Sequence, residues 1–152
     1  MTQKPDAHAM RTRLARLFKS QKLAVLSTSD NGHPYNSLVG FMASDDLSHM
    51  LFATTKATRK YANLMEDPRV SLLIDNRKNR GEDFHRAMAV TVVGTARGLG
   101  DHERAPHEKQ FIDRFPHLAE FVQSPGCALV AVRIMRYYVV TRFQNVYMLE
   151  PE

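Results

Sequence analysis

The stretch TTKATRKYANL, residues 54–64, sets Arg59 and Lys60 side by side directly after Thr58, where a helix should begin. The first turn of a helix leaves backbone N–H groups without partners and carries partial positive charge, so acidic residues are its expected occupants. Here no carboxylate appears before Glu66. Two cations at the positive end of a helix dipole call for an anion from outside the chain. A phosphate suits the set: Thr58 offers a hydroxyl, Arg59 a planar fork of donors and Lys60 a mobile ammonium, beside free N–H groups. Two adjacent cations on a helix surface, with no ligand at all, are the competing reading.

Other chemistries find less footing. Of the seven histidines, His102 and His107 have Pro106 between them, and no His-Glu-x-x-His occurs, so surface histidines are the reading and no metal site is expected. His33 falls in a turn, and His49 and His85 fall near strand starts. The single cysteine, Cys127, excludes an internal disulfide or a Cys-Cys zinc site and suits a reducing compartment. No nucleophile-elbow, Walker or Rossmann glycine pattern is present, so hydrolase chemistry has no support. No side chain identifies itself as a general acid or base, and the catalytic residues stay unassigned.

The formal net charge of +5 invites a nucleic-acid partner. The basic residues are scattered among acids, with the densest group, NRKNR at 76–80, in a loop. Neither a zinc finger, nor a glycine-aromatic RNA signature, nor a helix-turn-helix pair is found, which favours a solvated surface and no nucleic acid. No apolar run can span a bilayer, and residues 1–19 lack the unbroken apolar stretch of a secretory signal. The expected location is the cytoplasm, away from membranes.

The elements that must position the cationic pair follow from periodicity. With 152 residues, 43% hydrophobic and 24% charged, the chain is one domain, residues 1–152, able to bury a core unaided. An amphipathic helix occupies the first twenty residues, with Met10, Leu14, Leu17 and Phe18 at helical spacing. Two β-rich runs then flank Asp30-Asn31-Gly32, whose last two residues favour the positive φ of a tight hairpin. In the second run Tyr35, Ser37, Val39 and Phe41 share one face, and Asn36, Leu38, Gly40 and Met42 the other. A third strand over about 49–54 leads to the helix opened by Thr58, which Asp67-Pro68 ends. Strands over RVSLLIDN and RAMAVTVVGTARGL follow, the latter with Gly94 at a bend or bulge. A helical insertion, residues 101–123 with Asp101 as N-cap, precedes a long strand over CALVAVRIMRYYVV and a short last one over NVYMLE. Short turns between consecutive strands imply an antiparallel sheet. The fold class is mainly β with flanking helices (α+β), a six- to seven-stranded barrel.

The run Leu51–Thr55, then Thr58-Arg59-Lys60, Asn63-Leu64 and Asp67-Pro68-Arg69 leading into Val70–Leu73, resembles the pyridoxamine-phosphate-oxidase-like family of split-barrel flavoproteins. Upstream, LAVLSTSDNGHPYNSLVGF is similar to that family's first hairpin. The likeness covers residues 20–98 well and the remainder in outline. It implies a homodimer of antiparallel split β-barrels with FMN at each of two subunit-interface sites. By position, Arg59 and Lys60 would hold the FMN phosphate with Thr58 assisting. Ser37, Leu38, Val39 and Gly40 would lie along the ribityl chain and ring, and Ala53, Thr54 and Thr55 would complete the neighbouring wall. Plain barrel core is the alternative for Leu38 and Val39, and ordinary strand polarity for Ser37 and Thr54. Asn76 and Arg77 could reach the flavin's polar edge or the partner subunit; an exposed turn serves equally.

Departures narrow the function. The oxidase that names the family has basic residues around its second strand, where this chain has Ser37–Met42, and a glutamine on the next long strand, where it has Ala89. Its C-terminal tryptophan is also missing, since the chain has none. Formation of pyridoxal phosphate is therefore not expected. The resemblance implies an FMN-dependent oxidoreductase taking hydride or electrons from a small substrate or from NAD(P)H. The alternatives are a haem-binding or haem-degrading split barrel using His107 or His117, a non-catalytic FMN-binding protein, and a deazaflavin-dependent reductase. Phe111, Phe115, Phe121, Tyr137 and Tyr138 have core or dimer packing as their default role, and Phe143, Gln144 or Tyr147 could reach a partner's flavin.

Overall fold

A computed structural model describes residues 6–152, so the first five residues of the predicted N-terminal helix lie outside the described residues. Alternating apolar residues build the strands: β1 (Leu23–Asp30), β2 (His33–Ala43), β3 (His49–Thr55), β4 (Arg69–Asp75), β5 (Met88–Gly98), β6 (Cys127–Thr141) and β7 (Asn145–Leu149). All pairings are antiparallel, in the order β3-β2-β1-β4-β5-β6-β7. β3 also pairs with the first half of β6, from Thr55 opposite Cys127 to His49 opposite Arg133, which closes six strands into a barrel. The second half of β6 carries β7 on that same edge, so the seventh strand lies outside the closure.

Two local devices set this geometry. Asn31 and Gly32 both have positive φ, 52° and 89°, and join β1 to β2 by the two-residue turn their types favour. The register of β5 on β6 slips between Val93 and Gly94. A Cβ at Gly94 would lie 2.3 Å from the carbonyl oxygen of Arg133, so only glycine lets the two backbones approach where the barrel curls.

The barrel interior is filled by inward residues such as Leu26, Phe41, Phe52, Leu72, Ile74 and Val132. Helix α1 (Ala7–Ser20) adds Met10, Leu14, Leu17 and Phe18 to the same core. Helix α2 (Arg59–Glu66) packs on β1 and β2 through Leu64, and its buried Asn63 donates to Thr28 Oγ1 at 3.0 Å. Between β5 and β6 runs the predicted helical insertion, as α4 (Asp101–Arg114), a 3₁₀ turn (Pro116–Leu118) and α5 (Ala119–Gln123). It builds a second core outside the barrel, where Phe111, Phe115 and Val122 cover Leu51, Leu129 and Ala131.

Some expectations are corrected. Gly100, not Asp101, is the N-cap of α4; Asp101 is the first helical residue, where its carboxylate still faces the positive end of the dipole. His85 belongs to a one-turn helix, α3 (Asp83–Arg86), rather than to a strand start, because Asp83 gathers the N–H groups of Lys78 and Arg80 and winds the loop. Leu38 is not barrel core: strand alternation puts it on the outer face, 63% exposed, while Val39 beside it is 4% exposed. No helix among the described residues is long and apolar enough to cross a membrane.

Candidate functional site

The opening of α2 is capped from within. Thr58 Oγ1 accepts from the N–H of Tyr61 at 3.3 Å and donates to the carbonyl of Thr55 at 2.8 Å. Its single proton is therefore committed to the turn, and Thr58 acts as a cap rather than as a free donor. The N–H groups of Arg59 and Lys60 have no partner among the described residues, as the first turn of a helix dictates. Neither side chain enters an ion pair among those residues. Two unpaired cations and two unpaired donors thus converge on the positive end of one dipole, which is the composition of an anion site.

Beside this helix end lies a hollow of about 230 Å³. Leu38, Val39 and Gly40 of β2 form one side, and Ala53, Thr54 and Thr55 of β3 form the floor. Thr58 and Lys60 stand at the helix end. Residues expected to share a site from three separate segments therefore meet at one concavity. At Gly40 an added Cβ would make only ordinary contact, 3.7 Å from the Phe115 ring, so the fold itself does not demand glycine there.

Four of the expected residues fall elsewhere. Ser37 pairs in register with the buried Leu26, so its hydroxyl turns to the inner face, away from Leu38 and Gly40; it is buried there without a hydrogen-bond partner among the described residues. Arg59 is exposed and does not line the hollow, leaving Lys60 as the inner cation of the pair. Asn76 and Arg77 follow β4 at a different place. The Asn76 amide oxygen accepts from the N–H of Met88 at 2.7 Å, and Arg77 pairs with Asp75 at 3.2 Å, so both serve the turn before β5.

The hollow also has a wall whose aromatic residues the sequence assigns only to packing and whose Leu118 it does not single out. Phe111, Leu118 and Phe121 of the insertion complete it. The aromatic spacing was visible, but which face of the insertion meets β2 and β3 is decided by tertiary contacts. Arg114 makes one of them: its guanidinium donates to the carbonyls of Phe41, Phe18 and Gln21 at 3.0, 2.9 and 2.6 Å. It also stands 5.7 Å from the centre of the Phe41 ring and 5.3 Å from that of Phe115.

Nothing at the hollow is poised as a nucleophile. Cys127, opposite Thr55 on β6, is buried, and burial pushes its thiol above the ordinary range. No cluster of His, Cys, Asp or Glu among the described residues could hold a metal ion.

Comparison with known proteins extends this description. Residues 10–141 match the sequence model of a family described as pyridoxamine 5'-phosphate oxidase. No curated protein matches the chain. Among solved structures, a haem-binding protein from Mycobacterium smegmatis is similar at a TM-score of 0.78 and 18% identity, over 97% of this chain and 59% of that one. A protein related to general stress protein 26, of the pyridoxinephosphate oxidase family, from Clostridium acetobutylicum is similar at 0.73 and 14%, over 95% and 96%. An FAD-binding protein from Mesorhizobium loti is similar at 0.65 and 17%, over 84% and 90%. At these identities the likeness concerns the fold.

Proposed function

Since the chain belongs to the pyridoxamine 5'-phosphate oxidase family, we propose that it is an FMN-binding oxidoreductase, with the cofactor held in the hollow between β2, β3 and the start of α2. The observation that carries this reading is the unpaired cationic helix end. Arg59, Lys60 and their free N–H groups suit a phosphate dianion, and Lys60 lines the hollow that would receive the rest of the molecule. Gly40 lines the hollow without a side chain of its own, which leaves β2 backbone open to a ligand.

A volume of about 230 Å³ falls below the roughly 300–1,000 Å³ usual for ligand pockets. This small size supports a half-site, completed by a second copy of the chain in a homodimer as the family resemblance implies. When bound, the flavin supplies the redox chemistry, with a small substrate or NAD(P)H as electron donor. The residues of this chain bind its phosphate, orient its ring and keep water from it. A cytoplasmic location agrees with this role.

Haem is the second reading, drawn from the likeness to the Mycobacterium smegmatis haem-binding protein. No histidine is among the described residues lining the hollow, which favours flavin there; half-buried His107 and exposed His117 would hold haem at a different place. An absorption spectrum of the purified protein separates the two: a band near roughly 450 nm for flavin, a sharp band near roughly 400 nm for haem. Tight binding of added FMN supports the proposal; absence of FMN binding overturns it. Turnover of reduced nicotinamide by the FMN-loaded dimer separates an enzyme from a store, and a deazaflavin preference would show in competition with FMN.

A further inference from the structure

The hollow combines polar lining from β3 and α2 (Thr54, Thr55, Thr58, Lys60) with apolar lining, of which the insertion supplies Phe111, Leu118 and Phe121. Phe111 is 1% exposed, whereas Phe121 keeps 39% of its surface open and Leu38, on β2, keeps 63%. Large apolar side chains left open to solvent are ordinary when scattered. Two of them lining one concavity mark a surface for an apolar group.

The wall is also held in place. Arg104 donates to the carbonyls of Val122 and Cys127, at 2.5 and 2.8 Å, and pairs with Glu108 at 2.7 Å, which ties α5 to the start of β6. Val122, next to Phe121, is fully buried in the outer core. The Phe111 and Phe115 rings pack with centroids 4.9 Å apart. Phe121 is thus presented by a braced segment, so little ordering is needed when a ligand packs on it.

We propose that the insertion is the ring-binding wall of this site, with Leu118 and Phe121 packing against a planar, uncharged heteroaromatic ring whose phosphate lies at Lys60. This rests on the flavin reading and deepens it by assigning the two ends of one ligand to two parts of the chain. The phosphate end belongs to β3 and α2. The ring end belongs to residues 118–121, far along the sequence.

The test titrates FMN and riboflavin, which keeps the ring and lacks the phosphate, into the full-length protein while following quenching of flavin fluorescence. Phe121→Ala and Leu118→Ala should weaken both ligands by a similar factor, about tenfold. Phe121→Tyr should bind close to wild type, and Lys60→Ala should weaken FMN alone. Phe121 is partly exposed, so its alanine variant should keep the wild-type circular dichroism and Tm, which are measured alongside. Wild-type affinity for both ligands in both alanine variants would overturn the proposal while leaving the flavin reading intact. Loss of FMN but not riboflavin would also overturn it, by moving the insertion to the phosphate end. Failure of the wild-type protein to bind either ligand would bring down the flavin reading and this inference with it.

Discussion

The hydroxyl of Thr58 stands 3.1 Å from that of Thr54, tying the cap of α2 to the last inward-facing buried residue of β3. The helix end that presents Arg59 and Lys60 is therefore oriented by the barrel wall, not only by its own turn.

Thr58→Ala removes this link and the cap at once. The expected loss of stability is about 1 kcal/mol, within the range for threonine caps, and Thr58→Ser should recover most of it. Urea denaturation of the three proteins measures the difference. A wild-type midpoint for the alanine variant would mean that the cap is not formed.

Lys60 lines the hollow whereas Arg59 is exposed. Lys60→Ala should therefore reduce FMN affinity more than Arg59→Ala. The double variant should lose about 3 kcal/mol, roughly a hundredfold, from the usual range for hydrogen bonds to charged groups. Titration calorimetry with FMN reads this directly. Equal losses in the two single variants would contradict the assignment of Lys60 as the inner cation.

Gly94→Ala should destabilise the barrel by about 2 kcal/mol, in the range for overpacking, because the new methyl group meets the Arg133 carbonyl and the Val132 side chain. Gly40→Ala is the contrasting case: ordinary contact at 3.7 Å predicts near-wild-type stability, with FMN affinity lowered. Thermal unfolding and FMN titration of the pair distinguish a glycine needed by the fold from one needed by the ligand.

Asp46 accepts hydrogen bonds from the Ser44 and Ser48 side chains and from the Ser48 N–H, and these hold its carboxyl down at about 2. A carboxyl with a depressed folded pKa adds stability above its unfolded pKa and loses it as pH falls through the folded value. Asp46→Asn should accordingly lower Tm at neutral pH, with the gap to wild type closing between roughly pH 4 and pH 2. Since Asp46 is exposed, the effect is small. A gap that stays constant across that window would exclude the carboxylate as its source.

Arg114→Met keeps most of the side chain's packing but leaves the carbonyls of Phe18, Gln21 and Phe41 without their donor. A loss of at least about 2 kcal/mol is expected from partly buried acceptors left unsatisfied. Because this staple holds the insertion against α1 and β2, earlier proteolysis within residues 101–123 should accompany it, as seen on a gel time course.

Much of the barrel was legible in residue types. The Asn31-Gly32 turn, the Gly94 irregularity, the insertion over 101–123 and the cation-bearing start of α2 all follow from φ preferences and periodicity, whereas the cap made by Thr58 does not. The face of each residue in β2 follows from alternation, but not which face meets solvent: Leu38 suits a core by type and lies open.

What the sequence determined by itself is the set of local choices: the strands, their tight turns, and a helix that begins with two cations and no acid. Tertiary structure alone decided which of these come together. Closure of β3 on β6 brings β2, β3 and α2 to one hollow, turns the Ser37 hydroxyl inward, and leaves Asn76 at a distant turn. Arg114 and the outer core then seat Phe111, Leu118 and Phe121 over that hollow. The reason is physical. Capping and alternation act over a few residues, whereas the contact between the insertion and the barrel depends on burial summed over residues far apart in the chain, which no local spacing encodes.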